Sequence, residues 1–160
     1  MSQRVGIGID VHRFGDDPGR PLVLGGVVFP GEAGLEGHSD ADVVAHAVCD
    51  ALFGAAGLGD IGLHFPDSDE SWRGADSLGL LAEAAERVRR AGYRLVNADW
   101  SVVTERPRLA SMRDEMMVKL SAAAGGPVHV KATRPESLGA LGRVEGIACF
   151  AVATIEESGE

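Results

Sequence analysis

The sequence predicts an α+β fold, a mixed β-sheet with helices packed on one face. Three patterns point to it. Apolar residues alternate near the N-terminus, helical stripes recur through the middle, and a run near the C-terminus is apolar on both faces. A period of two marks a strand, and recurrence at i, i+3 and i+4 marks a helix. Strands and helices mixed along one chain pack as helices on a sheet. With 160 residues the chain can bury one sizeable core, so residues 1–160 are read as a single domain.

From Arg4 to Phe14, Val5, Ile7, Ile9 and Val11 share one strand face, while Gly6, Gly8, Asp10 and His12 share the other. The Val/Ile face is expected to lie on the core. Asp16-Asp17-Pro18-Gly19 is a turn. Leu22 to Phe29 reads as a second strand with a bulge or kink at Gly25-Gly26. After a loop to Asp40, a helix is expected over about Ala41 to Ala56, with Ser39 and Asp42 spaced as a capping signal and Gly57-Leu58-Gly59 as the stop. Asp60 to Gly74, rich in Asp, Pro and Gly, reads as a loop.

Asp76 or Ser77 caps a helix reaching Ala91, with Leu81, Ala84, Ala85 and Val88 as its apolar stripe. Glu83/Arg87 and Glu86/Arg90 are spaced as pairs on its wet side, and Gly92 is its C-cap. Tyr93 to Thr104 is a strand. Arg108 to Ala124 is a helix with Leu109, Met116, Leu120 and Ala123 on one face. Val128 to Thr133 and Glu145 to Ile155 are the last strands. The run from Ile147 to Ala153 is apolar on both faces and must be covered twice. Helices cover one face; the other calls for a partner subunit.

The 15 Lys+Arg and 24 Asp+Glu give a net charge of −9. A general nucleic-acid binder would carry a basic stripe, so nucleic acid is not expected as a partner. No apolar run reaches the roughly 18–20 residues of a membrane span, and the N-terminus lacks a signal-like apolar region, so a cytoplasmic protein without a membrane partner is expected. Cys49 and Cys149 sit in apolar segments and read as reduced core thiols. Glycine, at 22 residues, is costly inside helices and strands. Many glycines should therefore serve tight loops or close contacts.

Asp10 and His12, two apart on one strand face, start about 6–7 Å from each other. Their side chains can converge on one ion. His46 lies on the helix line Asp42, His46, Asp50. Two imidazoles and one carboxylate suit Zn²⁺, and three protein ligands leave its fourth position open, as in catalytic sites. His38-Ser39-Asp40 stand at a helix start, where amides and the helix dipole attract anions. Gly59-Asp60-Ile61-Gly62 and Phe65-Pro66-Asp67-Ser68-Asp69 could hold sugar hydroxyls or be plain turns. Thr133, Arg134 and Glu136 end one strand, and Thr104 to Ala110 ends another. They offer groups for phosphate and a hard divalent cation. These residues support a metal-dependent enzyme acting on an anionic, phosphorylated small molecule.

The stretches GIGIDVHRF, HSDADVVAHAVCDALFGAAGLGDIG, FPDSD, GADS and GRVEGIAC resemble the 2-C-methyl-D-erythritol 2,4-cyclodiphosphate synthase family along essentially the whole chain. The resemblance implies a homotrimer whose sheets face a central axis, with active sites between subunits. It implies Asp10, His12 and His46 as ligands of one Zn²⁺ per subunit, and Glu136 as a contact of Mg²⁺ or Mn²⁺ bound to the diphosphate. His38 and Ser39 would hold phosphate. Asp60, Ile61 and Gly62, with Phe65, Pro66, Asp67, Ser68 and Asp69 nearby, would contact the substrate. Thr104, Arg108, Leu109, Ala110, Ala132, Thr133 and Arg134 would form a cytidine pocket. His38, Arg134 and Glu136 are the implied catalytic residues.

The implied reaction turns 4-diphosphocytidyl-2-C-methyl-D-erythritol 2-phosphate into the cyclic diphosphate with loss of CMP, within non-mevalonate isoprenoid biosynthesis. The family usually has a hydroxyl residue where Arg134 stands, Thr where Pro135 stands and often an aromatic at Ala140. Arg143 and Glu145 are kept and would line the axis. Two other readings are a zinc hydrolase of a nucleotide diphosphate, which would give a linear product, and a trimeric isoprenoid-diphosphate binder. The latter's structural zinc would be closed by a fourth protein ligand, and no candidate has matching spacing.

Overall fold

The computed structural model describes residues 2–159. In chain order it contains β1 (Gln3–Arg13), β2 (Leu22–Leu24), β3 (Val27–Phe29), α1 (Val43–Ala56), α2 (Ile61–His64), α3 (Ser77–Arg90), β4 (Tyr93–Val103), α4 (Arg113–Ala124), β5 (Val128–Thr133), α5 (Gly139–Gly142) and β6 (Gly146–Glu157). A 3₁₀ turn covers Glu70–Trp72. The main sheet is mixed, in the order β1-β6-β4-β5. β6 runs antiparallel to β1 and β4, and β4 runs parallel to β5. The C-terminal ends of β1, β4 and β5 therefore lie at the same end of the sheet. α1 packs on β1, β6 and β4, α4 packs on β5, and α3 bridges α1 and α4.

The face of β1 that meets the helices is the reverse of the expected one. Gly6 and Gly8 lie against α1, and Val5, Ile7, Ile9 and Val11 are 67, 63, 51 and 60 % exposed. The cause is the closeness of α1. A Cβ on Gly6 would stand 2.1 Å from the Ala51 carbonyl oxygen, and one on Gly8 would stand 1.9 Å from that of Ala47. Ala47, Ala51 and Ala55, spaced by four, present a flat stripe that lets backbone meet backbone. β6 behaves as its sequence suggests. Ile147, Cys149, Ala151, Ala153 and Ile155 are buried, while Phe150 and Val152 are each 44 % exposed. Ile9 pairs with Phe150 and Ile7 with Val152, so one uncovered apolar patch spans the two strands.

Leu22 to Phe29 is a hairpin and not one kinked strand. Gly25 and Gly26 both have positive φ, 58° and 73°, the turn geometry that joins two antiparallel strands through two residues. Asp42, fully buried, caps α1 in place of Ser39, accepting from the Val44 and Ala45 amides. It also accepts from Gly25 and Gly26 at 2.9 and 2.7 Å, which ties the hairpin to the helix. α4 starts at Arg113, five residues later than its apolar spacing suggests. Its first-turn neighbour Met112 makes no side-chain cap, and Leu109 is buried ahead of the helix. Asp76 caps α3, whose C-cap is Ala91, one residue before Gly92. The stretch from 60 to 74 is less irregular than expected, since it contains α2 and the 3₁₀ turn. Cys49 and Cys149 are free and buried, and burial pushes both thiols well up. No helix among the described residues is long and apolar enough to cross a membrane.

Candidate active site

Asp10 and His12 alternate onto the glycine face of β1 and so point at α1, where His46 lies one turn from the helix start. Asp10 Oδ2 is 3.1 Å from His12 Nε2 and 3.1 Å from His46 Nδ1. All three ligand atoms fall within 4.8 Å of one another. Tetrahedral bonds of about 2.1 Å place ligand atoms about 3.4 Å apart, so the three groups fit one divalent metal ion with little adjustment. The outer nitrogen of each ring is engaged. His12 Nδ1 donates to the Glu36 carbonyl at 2.6 Å. His46 Nε2 is 2.9 Å from Ser77 Oγ and 3.1 Å from Ser39 Oγ. Such partners turn the inner lone pairs toward an ion.

Electrostatics agree with this arrangement. Burial raises the Asp10 pKa, but hydrogen bonds from His12 and His46 outweigh it and bring the carboxyl to about 2. Burial works against charge on His12, yet the hydrogen bond and charge of Asp10, with the Glu36 carbonyl, raise its pKa above 6.5.

The three groups open onto a cavity of about 430 Å³, also lined by His38, Ser39, Ile61, Gly62, Phe65, Pro66 and Asp67. His38 Nε2 is shielded from solvent without a hydrogen-bond partner among the described residues. The α1 amides expected to attract an anion are instead occupied by Asp42. Val11, Gly37, Trp72 and Leu80 complete the lining and were not singled out in the sequence. Trp72 had a signal, as a large aromatic in an otherwise polar loop; it meets Phe65 edge-on at 4.9 Å. The wet-side pair Glu83/Arg87 is half-buried, and Arg87 reaches further than its partner. It donates to His64 Nδ1 at 2.8 Å and lies 5.0 Å over the Phe65 ring. His64 stacks on Phe53 at 3.9 Å, so this network braces the cavity wall.

A separate cavity of about 310 Å³ gathers Thr104, Arg108, Leu109, Ala110, Ala132, Thr133 and Arg134. It lies at the β5 edge, across β6 and β4 from the β1 edge. Strand spacing puts those edges about 14 Å apart. Asp60, Ser68, Asp69, Glu136 and Arg143 line neither cavity. Asp60 and Asp69 cap α2 and the 3₁₀ turn. Glu136, exposed with φ 53°, lies in a left-handed turn with Ser137 and is not in the metal cluster. Arg143 pairs with Glu145 at 2.6 Å.

Known proteins share this arrangement of chain. The 2-C-methyl-D-erythritol 2,4-cyclodiphosphate synthase of Salinibacter ruber is 52 % identical over 158 residues, covering 97 % of this chain and 99 % of that one. The bifunctional IspDF structure from Campylobacter jejuni superposes with a TM-score of 0.92 at 40 % identity, covering 98 % of this chain and 42 % of the longer one. The IspF structure from Plasmodium falciparum, a CDP complex, gives 0.85 at 28 % identity over 99 % and 98 % of the two chains. The YgbB family profile matches residues 3–156, from the start of β1 nearly to the end of β6, and the chain belongs to that family.

Proposed function

We propose that this protein is a 2-C-methyl-D-erythritol 2,4-cyclodiphosphate synthase. The observation that carries the reading is the convergence of Asp10, His12 and His46 at a cavity bordered by His38 and Ser39. In the reaction, an oxygen of the substrate's 2-phosphate attacks the β-phosphorus. That P–O bond closes the ring, the bond from the β-phosphorus to the bridging oxygen breaks, and CMP leaves with the electron pair. The nucleophile is already an anion, so alignment and charge repulsion are the obstacles. When bound, Zn²⁺ at Asp10, His12 and His46, with Mg²⁺ or Mn²⁺ at Glu136, supplies Lewis-acid neutralisation of phosphate charge.

The chain's own groups do the positioning. His38, with its unpartnered Nε2, and Ser39 grip phosphate. Asp60, Ile61, Gly62 and the segment from Phe65 to Asp69 hold the sugar-alcohol portion. Arg134 offers its guanidinium to the transferred phosphoryl group, and Thr104, Arg108, Leu109, Ala110, Ala132 and Thr133 hold cytidine. The two cavities stand at opposite sheet edges, so within one chain the substrate would have to stretch across the end of the sheet to reach both. A homotrimer answers this, with the β5 cavity of one copy beside the β1 cavity of the next. It also covers Val5, Ile7, Ile9, Val11, Phe150 and Val152 and puts Arg143 near the axis. Phosphorus NMR of purified protein with the cytidine substrate tests the reading: CMP and a cyclic diphosphate are expected, and a linear product or none overturns it.

The perturbed pair also predicts a pH dependence. Asp10 is depressed, so its contribution in the metal-free protein is present above its ordinary value near 3.8 and lost as pH falls toward about 2. His12 is raised, so its contribution is present below 6.5 and lost as pH climbs through the raised value. Zinc must displace the proton on His12. Added zinc should therefore raise the melting temperature more at about pH 8 than at about pH 5.5. Equal shifts, or a larger one at the lower pH, would contradict the ligand set.

A further inference from the structure

The stretch Gly74-Ala75-Asp76-Ser77 has no substrate or catalytic role in the proposed reaction. Two backbone bonds lace it to the loop before α1: Gly74 N–H donates to His38 at 2.9 Å, and Asp40 N–H donates to Ala75 at 3.3 Å. The starts of α1 and α3 are thereby held together, with Ser77 fully buried between them. Its Oγ is 2.9 Å from His46 Nε2, and its hydroxyl also meets Asp40 Oδ1. Asp40 further accepts from the Ser77 amide at 3.0 Å and the Asp42 amide at 3.1 Å.

A carboxylate only accepts, so the Ser77 hydroxyl must give its proton to Asp40. Its remaining lone pairs then face His46 and can only accept from Nε2. With an ion in place of the Nδ1 proton that bridges to Asp10 Oδ2, the Ser77 oxygen holds the His46 proton on Nε2 and the Nδ1 lone pair faces the ion. Ser39 Oγ is 3.1 Å from the same nitrogen, but it accepts the Ala41 amide at 3.2 Å and lines the cavity. With the Nε2 proton committed to Ser77, the Ser39 hydroxyl is free to serve a ligand there.

We propose that Ser77, oriented by Asp40, is a positioning residue that holds His46 in the tautomer and ring orientation needed for metal binding. The inference rests on reading Asp10, His12 and His46 as the zinc tripod. It is tested on the full chain by chelator competition with Zn²⁺ alone. Ser77→Ala should weaken zinc binding about 10- to 100-fold, the usual effect of losing such an outer partner. Asp40→Asn should weaken it in the same direction, and Ser39→Ala should leave it near the wild-type value. In the zinc-loaded wild type, NMR should find a slowly exchanging His46 Nε2 proton that Ser77→Ala loses. Melting of the zinc-free proteins separates this from general unfolding, and Asp40→Asn carries the test if Ser77→Ala does not fold. Wild-type affinity in both variants overturns the proposal alone. A wild type that binds no zinc overturns the tripod and the proposal with it.

Discussion

His46→Ala should lose zinc and cyclisation together while the chain stays folded. The ring supplies one of the three ligand atoms, with Nδ1 at 3.1 Å from Asp10 Oδ2. Without it, a carboxylate and one imidazole are a weak pair for a transition metal. Lewis-acid charge stabilisation supplies several kcal/mol, and each 1.36 kcal/mol is tenfold in rate. A fall of about a thousandfold or more in turnover is therefore expected. Stability should change little in the zinc-free protein, because the ring borders the cavity and the helix around it is held by Asp42 and its alanine contacts. Zinc content, circular dichroism and turnover measured on one preparation check this. Wild-type turnover from a zinc-free His46→Ala protein would contradict the assignment.

Gly8→Ala should be the most damaging small substitution in the fold. The new methyl would lie 1.9 Å from the Ala47 carbonyl oxygen and 2.6 Å from the Ala51 nitrogen. Both are backbone atoms in a buried helix, so neither can turn aside as a side chain does. Moving α1 off β1 would break the Asp10–His46 contact and loosen the core. A cost of about 4 kcal/mol or more is expected, in the range reserved for such mechanisms, with a melting point lower by about 10 °C. Gly54→Ala on the same helix is the control. Its Cβ would meet nothing nearer than 3.8 Å, so it should be neutral or stabilising by up to about 1 kcal/mol. Similar melting points for the two variants would contradict the close-approach account of β1 and α1.

Those glycines also mark where sequence reasoning stops. A period of two in Val5, Ile7, Ile9 and Val11 separates two faces without saying which is covered. The deciding signal was the match between Gly6 and Gly8 on one element and Ala47, Ala51 and Ala55 on another, a relation across some forty residues. The same limit hid Ser77, whose place at the start of α3 is local but whose contact with His46 requires α1 and α3 to start side by side. The α4 start was missed because Leu109 continues the apolar spacing and Met112 bears no cap. By contrast, Asp10, His12 and His46 were legible, since strand alternation and helix spacing each present a ligand on a single face. The two cavities were legible as strand ends, but their separation to opposite edges follows only from the β1-β6-β4-β5 order.

The most direct measurement is anomalous X-ray scattering at the zinc edge from crystals grown with zinc. The account predicts one strong peak per chain, about 2.0–2.2 Å from Asp10 Oδ2, His12 Nε2 and His46 Nδ1. Crystals replete in zinc that show no peak between those three atoms would contradict it.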